Sequence, residues 1–134
     1  MRSDVILNKV NIIERCLVRV QDVYASSPEN LSDYTKQDSI VLNIQRACEA
    51  SIDLAMHIIA ENKLGIPQHS RDGFEILKTH QIITEKIAEN MKAMVGFRNI
   101  AIHDYQTIHI GILQKIIENH LQDFKEFSNQ IIKK

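Results

Sequence analysis

The amino-acid sequence predicts an all-α fold, a bundle of four long helices and one short helix arranged as antiparallel hairpins. Two observations predict it. Apolar residues recur at three- and four-residue steps along most of the chain, which is the spacing of one face of an α-helix. The 134 residues include only four glycines and two prolines, so turns are few and the elements are long. We expect residues 1–134 to form a single domain.

The first two helices are predicted on either side of a short polar connection. The first covers about residues 4–25 and ends where two serines, a proline and an asparagine follow. The second begins at Ser32 or Asp33 and continues to about Lys63, because Gly65 is expected to stop it. These helices are long enough to pair along most of their length.

Three further helices complete the predicted bundle. Ser70 is expected to cap a short third helix. The fourth begins near Thr84, whose hydroxyl precedes an acidic first turn, and leads into a polar motif that starts at Arg98. The fifth extends from about Thr107 to Lys133.

Composition and charge narrow the class of protein. The formal net charge is −1, which argues against a non-specific nucleic-acid binder because such proteins usually carry a strongly basic face. No stretch approaches the roughly 18 apolar residues of a membrane span, and the N-terminal region lacks the apolar run of a signal peptide. Cys16 and Cys48 fall on apolar helical faces without metal-ligand spacing, as free cysteines do in a reducing compartment. We therefore expect a cytoplasmic protein.

A row of polar residues on the second helix raises the question of a metal site. Glu49, Asp53, His57 and Glu61 follow one another at four-residue steps and share one helical face. The paired Glu-x-x-His motifs of di-iron bundles are missing, so a solvated or subunit-facing row is the preferred interpretation. We expect neither a metal nor a cofactor. Whether this row or Arg46 contributes to a functional site is left open by the sequence.

The residues that carry chemistry lie near the end of the fourth helix. Arg98, Asn99, His103 and Tyr105 place a permanent cation, an amide, an imidazole and a phenol within eight residues. This set suits cleavage of RNA without a metal, in which the substrate's own 2′-hydroxyl attacks the phosphorus. An imidazole can move the protons near neutral pH, and a guanidinium can hold phosphate oxygens as charge builds on them. Arg98 and His103 are the predicted catalytic pair, with Asn99 as an orienting group.

Helical geometry complicates this interpretation. Arg98 and His103 are five residues apart, which separates them by about 140° around a regular helix. Either the last turn is loosened so that the arginine reaches the histidine, or two copies of the chain share one groove across a two-fold axis. A non-catalytic explanation also exists, because a protonated histidine near a helix end simply complements the helix dipole.

The motif resembles a known family. Arg98, four intervening residues, His103, one residue and Tyr105 are similar to the R-x4-H-x-Y motif of HEPN-domain ribonuclease toxins of the HepT type, and Asn99 is a polar residue of the kind they prefer after the arginine. The similarity covers nearly the whole chain in length and helical layout. It implies a dimeric, metal-independent endoribonuclease, with Arg98, Asn99 and His103 at a dimer groove.

The same resemblance implies a means of control. It identifies the chain as the toxin of a type VII toxin–antitoxin system, with RNA as its substrate and an MNT-type nucleotidyltransferase as its antitoxin. The antitoxin would attach AMP to Tyr105, making the toxin a nucleotide-carrying phosphoprotein. The homodimer would lie within a larger hetero-oligomer. Bulk and negative charge two residues from His103 would block the groove and repel an RNA backbone.

Two other interpretations compete with the enzyme. The chain is alternatively a non-catalytic helical module that binds and positions a nucleotidyltransferase, with the motif as docking and modification site, or a structural dimerisation bundle. The remaining histidines lack zinc-ligand spacing and are interpreted as surface or packing residues. The other basic side chains near the motif are expected to be solvated charges rather than a positive rim for RNA: Arg71, Lys78, Lys86 and Lys92.

Overall fold

The computed structural model describes residues 3–134, and every regular element in that range is helical. The elements, in chain order, are α1 (Asp4–Tyr24), a 3₁₀ turn (Pro28–Ser32), α2 (Tyr34–Asn62), α3 (Ser70–Thr79), α4 (Glu85–His103), a second 3₁₀ turn (Tyr105–Thr107), α5 (Ile110–Lys115), a π-helical turn (Ile116–His120) and α6 (Leu121–Ile132). The all-α prediction is confirmed. Met1 and Arg2, part of the N-terminal region in which no signal peptide is expected, lie outside the described residues.

The helix starts follow the capping rules at three places. Ser3, Asp33 and Thr84 precede α1, α2 and α4, and each side chain accepts a hydrogen bond from the backbone N–H three residues later. The predicted starts of the second and fourth helices are therefore correct. Across residues 3–134, we find no helix that combines the length and apolar character needed to cross a membrane.

The predicted cap of the short third helix is wrong. Ser70 is the first residue of α3 rather than its cap, and His69 precedes it. The carboxylate of Asp72 accepts hydrogen bonds from the backbone N–H groups of Gln68 (2.8 Å) and His69 (3.0 Å) and so closes the first turn. The Ser70 hydroxyl, which that role would have occupied, instead accepts a hydrogen bond from Arg98.

The fifth helix begins three residues later than predicted. Thr107 belongs to the 3₁₀ turn, and α5 begins at Ile110. The Nδ1 atom of His109 accepts a hydrogen bond from the N–H of Gly111 at 3.1 Å, so a histidine serves as the cap. Thr107 instead closes the 3₁₀ turn, since its hydroxyl and its backbone N–H both donate to the carbonyl of Asp104, at 2.8 and 3.0 Å.

A π-helical turn connects α5 directly to α6. The hydroxyl of Tyr24, a buried residue of α1, donates a hydrogen bond to Glu118 in this turn. Burial, reinforced by Glu118, raises the pKa of Tyr24 to about 12. At the end of the turn, Nδ1 of His120 lies 2.9 Å from Asp123. The widened turn therefore carries a polar link back to the first helix.

The long helices share one hydrophobic core. Helices α1 and α2 pack side by side as a hairpin, α3 lies against α2 and α4, and α6 contacts α1, α2 and α4. Phe74 of α3 and Phe127 of α6 are fully buried and meet edge to face, with ring centroids 5.5 Å apart. Cys16 and Cys48 are buried and unpaired, and burial raises the pKa of the Cys48 thiol to about 12.

Truncation of Phe127 to alanine should destabilise the fold by about 3–5 kcal/mol, because it leaves a cavity at the junction of α3 and α6. Urea unfolding followed by circular dichroism measures this loss. Val18→Ala is the control, since Val18 is 59% exposed and its truncation should change stability by less than about 0.5 kcal/mol. Equal costs for the two variants would contradict the core assignment.

Candidate functional site

The polar motif occupies the C-terminal end of α4. His103 is the last helical residue, and Asp104 leaves the helical conformation with φ −154° and ψ 57°. The N–H of Asp104 still donates to the carbonyl of Ile100 at 2.8 Å, an ordinary α-helical bond. Because the last turn is regular, Arg98 and His103 stay on different faces of α4, and the loosened helix end considered from the sequence is not found.

The side chain of Arg98 is half-buried and directed towards α2 and α3. Its Nη2 donates to Oγ of Ser70 at 3.2 Å. Burial raises the pKa of the Cys48 thiol, and the positive charge of Arg98 partly offsets that rise. Its Nε atom is buried and, within residues 3–134, has no hydrogen-bond acceptor. This arginine therefore keeps a donor that no protein group uses.

An open groove of about 670 Å³ lies between the start of α3 and the end of α4. Arg98 and Asn99 both line it, together with Ser70 and Arg71. His103 does not line this groove. Its ring is exposed and forms no hydrogen bond with any residue that the structure describes. A single copy of the chain thus brings Arg98 and Asn99 together and leaves the histidine apart.

Tyr105 follows the helix and is tied to α2. Its hydroxyl donates a hydrogen bond to Oδ1 of Asp38, on the second turn of α2, and the residue is 36% exposed. Burial, and then the Asp38 carboxylate, raise the pKa of Tyr105 above its ordinary value. At neutral pH the side chain is therefore a neutral phenol. The sequence does not predict Asp38 as the partner of Tyr105, because the two residues are 67 positions apart and no local spacing connects them.

Two members of the polar row on α2 have partners of their own. Over residues 3–134, histidine, cysteine and carboxylate side chains nowhere gather in a group able to hold a metal ion. Asp53 pairs with Lys9 of α1 at 3.2 Å, and Glu49 accepts a hydrogen bond from Gln45 at 3.1 Å. Arg46 is exposed and does not line the groove at Arg98. These charges belong to the surface of the hairpin.

Comparison with known proteins identifies relatives along almost the whole chain. The family model for ribonuclease HepT-like proteins matches residues 13–131. An mRNA nuclease HepT from Shewanella oneidensis is 46% identical over 129 residues, covering 96% of this chain and 97% of the relative. A tRNA nuclease HepT from Aphanizomenon flos-aquae is 27% identical over 106 residues, covering 79% and 72%.

A solved structure shares the fold as well. The tri-AMPylated HEPN toxin of Shewanella oneidensis, in complex with an MNT antitoxin, superimposes with a TM-score of 0.95 and 45% identity. The superposition covers 99% of this chain and 100% of the toxin. The helical arrangement around the motif is thus common to both chains.

The bond between Tyr105 and Asp38 should be measurable as an interaction energy. Tyr105→Phe, Asp38→Ala and the double variant form a cycle, and we expect a coupling of about 0.5–1.5 kcal/mol, as for one partly exposed hydrogen bond. Urea unfolding of the four proteins gives the value. Strictly additive single effects would show that the hydroxyl and the carboxylate do not interact.

Proposed function

This chain belongs to the ribonuclease HepT-like family, and on that premise we propose that it is an endoribonuclease toxin neutralised by a nucleotidyltransferase antitoxin. The resemblance to the HepT type expected from the sequence is confirmed. The observation that best supports the activity is the half-buried guanidinium of Arg98, which lines an open groove and forms no ion pair with any residue in the described part of the chain. A phosphate oxygen is an acceptor well suited to a guanidinium.

The proposed chemistry uses the RNA itself as the nucleophile. The 2′-oxygen bonds to the adjacent phosphorus as the bond to the 5′-oxygen breaks. His103 takes the 2′-hydroxyl proton or returns a proton to the departing 5′-oxygen, as an imidazole does near neutral pH. Arg98 donates to the phosphate oxygens, on which negative charge grows in the transition state. Asn99, beside Arg98 in the groove, orients a phosphate oxygen. No step requires a metal.

We propose that the working unit is a homodimer. Arg98 and His103 of one copy lie on different faces of a regular helix, so a second copy related by a two-fold axis is needed to bring both residue types to one phosphate. Ile100 and Ile102, between Arg98 and His103 in the motif, are each 44% exposed and supply apolar surface for that contact. A pair of histidines at the shared groove provides one base and one acid.

The antitoxin is proposed to act at Tyr105. The phenol oxygen attacks the α-phosphorus of ATP, pyrophosphate leaves, and the phenolic proton is released. The product no longer has a hydroxyl to donate to Asp38 and instead places a phosphate anion beside that carboxylate. Repulsion moves the modified side chain off α2. The phosphate then places negative charge next to His103, which excludes an RNA backbone.

The Shewanella oneidensis complex supports this assignment, because that toxin is tri-AMPylated and bound to an MNT antitoxin. We propose the same partner for this chain, within a hetero-oligomer built around the toxin dimer. An enzyme that acts on cellular RNA works in the cytoplasm, where buried free thiols such as Cys16 and Cys48 stay reduced.

One observation favours a second candidate function. The separation of Arg98 from His103 within a single copy is also what a non-catalytic module for docking the nucleotidyltransferase would show. The two candidates differ in a simple way, because the module does not cleave RNA.

Arg98→Ala and His103→Ala should each lower RNA cleavage at least about a hundredfold, since one removes charge stabilisation and the other removes proton transfer. The measurement is incubation of purified protein with total RNA, followed by mapping of the cut sites. Arg19→Ala, on the outer surface of α1, should cut normally, and EDTA should leave wild-type cleavage unchanged. The catalytic assignment is wrong if either motif variant cuts RNA at the wild-type rate.

Tyr105→Phe should retain RNA cleavage while losing modification by the antitoxin, because only the acceptor oxygen is removed. Mass spectrometry after incubation with the nucleotidyltransferase and ATP reports the adenylyl groups. Tyr34→Phe is the matched control, since Tyr34 is 80% exposed and should leave modification intact. An adenylyl group on the Tyr105→Phe protein would place the acceptor elsewhere.

A further inference from the structure

Arg71 lies across the surface of α4, held by the backbone of that helix. Its Nε donates to the carbonyl of Lys92 at 3.2 Å. One helical turn later, its Nη2 covers Gly96, where an added Cβ atom would stand only 2.9 Å from that nitrogen. The guanidinium is therefore positioned without an acidic partner, and it fits there because residue 96 has no side chain.

Arg71 and Arg98 line the same groove, and neither forms an ion pair with any residue in the described part of the chain. Asp72 also lines the groove and keeps its negative charge, while two backbone N–H groups of the α3 first turn hold its carboxylate in place. Two guanidinium groups against one carboxylate leave the groove with a net positive charge.

The lysine nearest to Arg71 is neutralised differently. Lys92 pairs with Glu75 and, at 3.2 Å, with Glu89. Hydrogen bonds from Lys78 and Lys92 lower the pKa of Glu75 to about 2, so this carboxylate stays ionised and occupied. The unpaired positive charges that line the groove are thus those of Arg71 and Arg98.

We propose that Arg71 binds a backbone phosphate of the RNA next to the one held by Arg98, so that the groove between α3 and α4 is a second phosphate subsite. The proposal rests on the ribonuclease function proposed above. A guanidinium offers a planar fork of donors that matches two phosphate oxygens. Contacts of this kind set the position of the strand and do not read its bases. Arg71, expected from the sequence to be merely solvated, thus becomes a substrate-positioning residue.

Gly96 provides a test that leaves every charge in place. In Gly96→Ala the added methyl group must displace the end of the Arg71 side chain, which is flexible and moves easily. Alanine favours the helix more than glycine does, so the fold is retained. Loss of RNA affinity in this variant would therefore report the position of the Arg71 guanidinium and not its charge.

The experiment measures RNA binding in a His103→Ala background, where the strand stays intact. The probe is a single-stranded RNA oligonucleotide that spans a mapped cut site, titrated at several salt concentrations. We expect Arg71→Gln to weaken binding about three- to tenfold and to reduce the slope of log K against log salt by about 0.7, the value for one lost phosphate contact on a single strand. Gly96→Ala should weaken binding in the same direction.

Coupling and a charge control complete the test. Adding Gly96→Ala to Arg71→Gln should cause no further loss, because both remove the same contact. Arg19→Gln removes an equal charge from the outer face of α1 and should leave the salt slope unchanged. Thermal unfolding of each variant checks that the fold is intact.

The outcomes separate this proposal from the one on which it rests. If the wild type cuts RNA but Arg71→Gln and Arg19→Gln share one salt slope, the subsite is refuted and the ribonuclease stands. If the wild type cuts no RNA, the ribonuclease proposal fails and the subsite fails with it. Unchanged RNA affinity combined with slower nucleotidyl transfer to Tyr105 would assign the groove to the nucleotide of the antitoxin and overturn the RNA subsite.

Discussion

A regular α-helix turns by about 100° per residue, and α4 keeps that geometry through His103. The rest of the site depends on this constraint. Arg98 is directed into the groove beside α3, where Ser70 holds it, while His103 faces solvent at the helix end. Because one copy keeps the two side chains on different faces of α4, the proposed active site depends on the pairing of two copies.

The segment that follows α4 is also held in place by specific hydrogen bonds. Asp104 ends the helix and accepts hydrogen bonds from Thr107 through its carbonyl, while Tyr105 anchors the segment to α2 through Asp38. The proposed acceptor of the modification is therefore also a tether of the segment that follows the histidine. The proposed modification of this one oxygen would alter both the electrostatics next to His103 and the attachment of the chain around it.

Helical periodicity and capping patterns in the sequence predicted much of the fold, and the spacing of polar residues predicted which side chains form the motif. Caps such as Asp33 and Thr84 need only a side-chain oxygen at the right place in the sequence. Ser70 met the same rule and failed, because Asp72 satisfies the first turn and Arg98 takes the serine hydroxyl. Such competition depends on tertiary neighbours, which no local pattern contains.

The partners of the site were hidden for a related reason. Asp38 is 67 residues from Tyr105, and Arg71 lies 25 residues before Gly96, so only the packing of α2, α3 and α4 brings them together. The contact between Arg71 and Gly96 also constrains how this protein can change over evolution. A mutation that adds a side chain at position 96 displaces the guanidinium of Arg71. If Arg71 is replaced by a shorter residue, that steric restriction at position 96 disappears. We therefore expect positions 71 and 96 to change together in related sequences, because the guanidinium of Arg71 lies where a side chain at position 96 would stand.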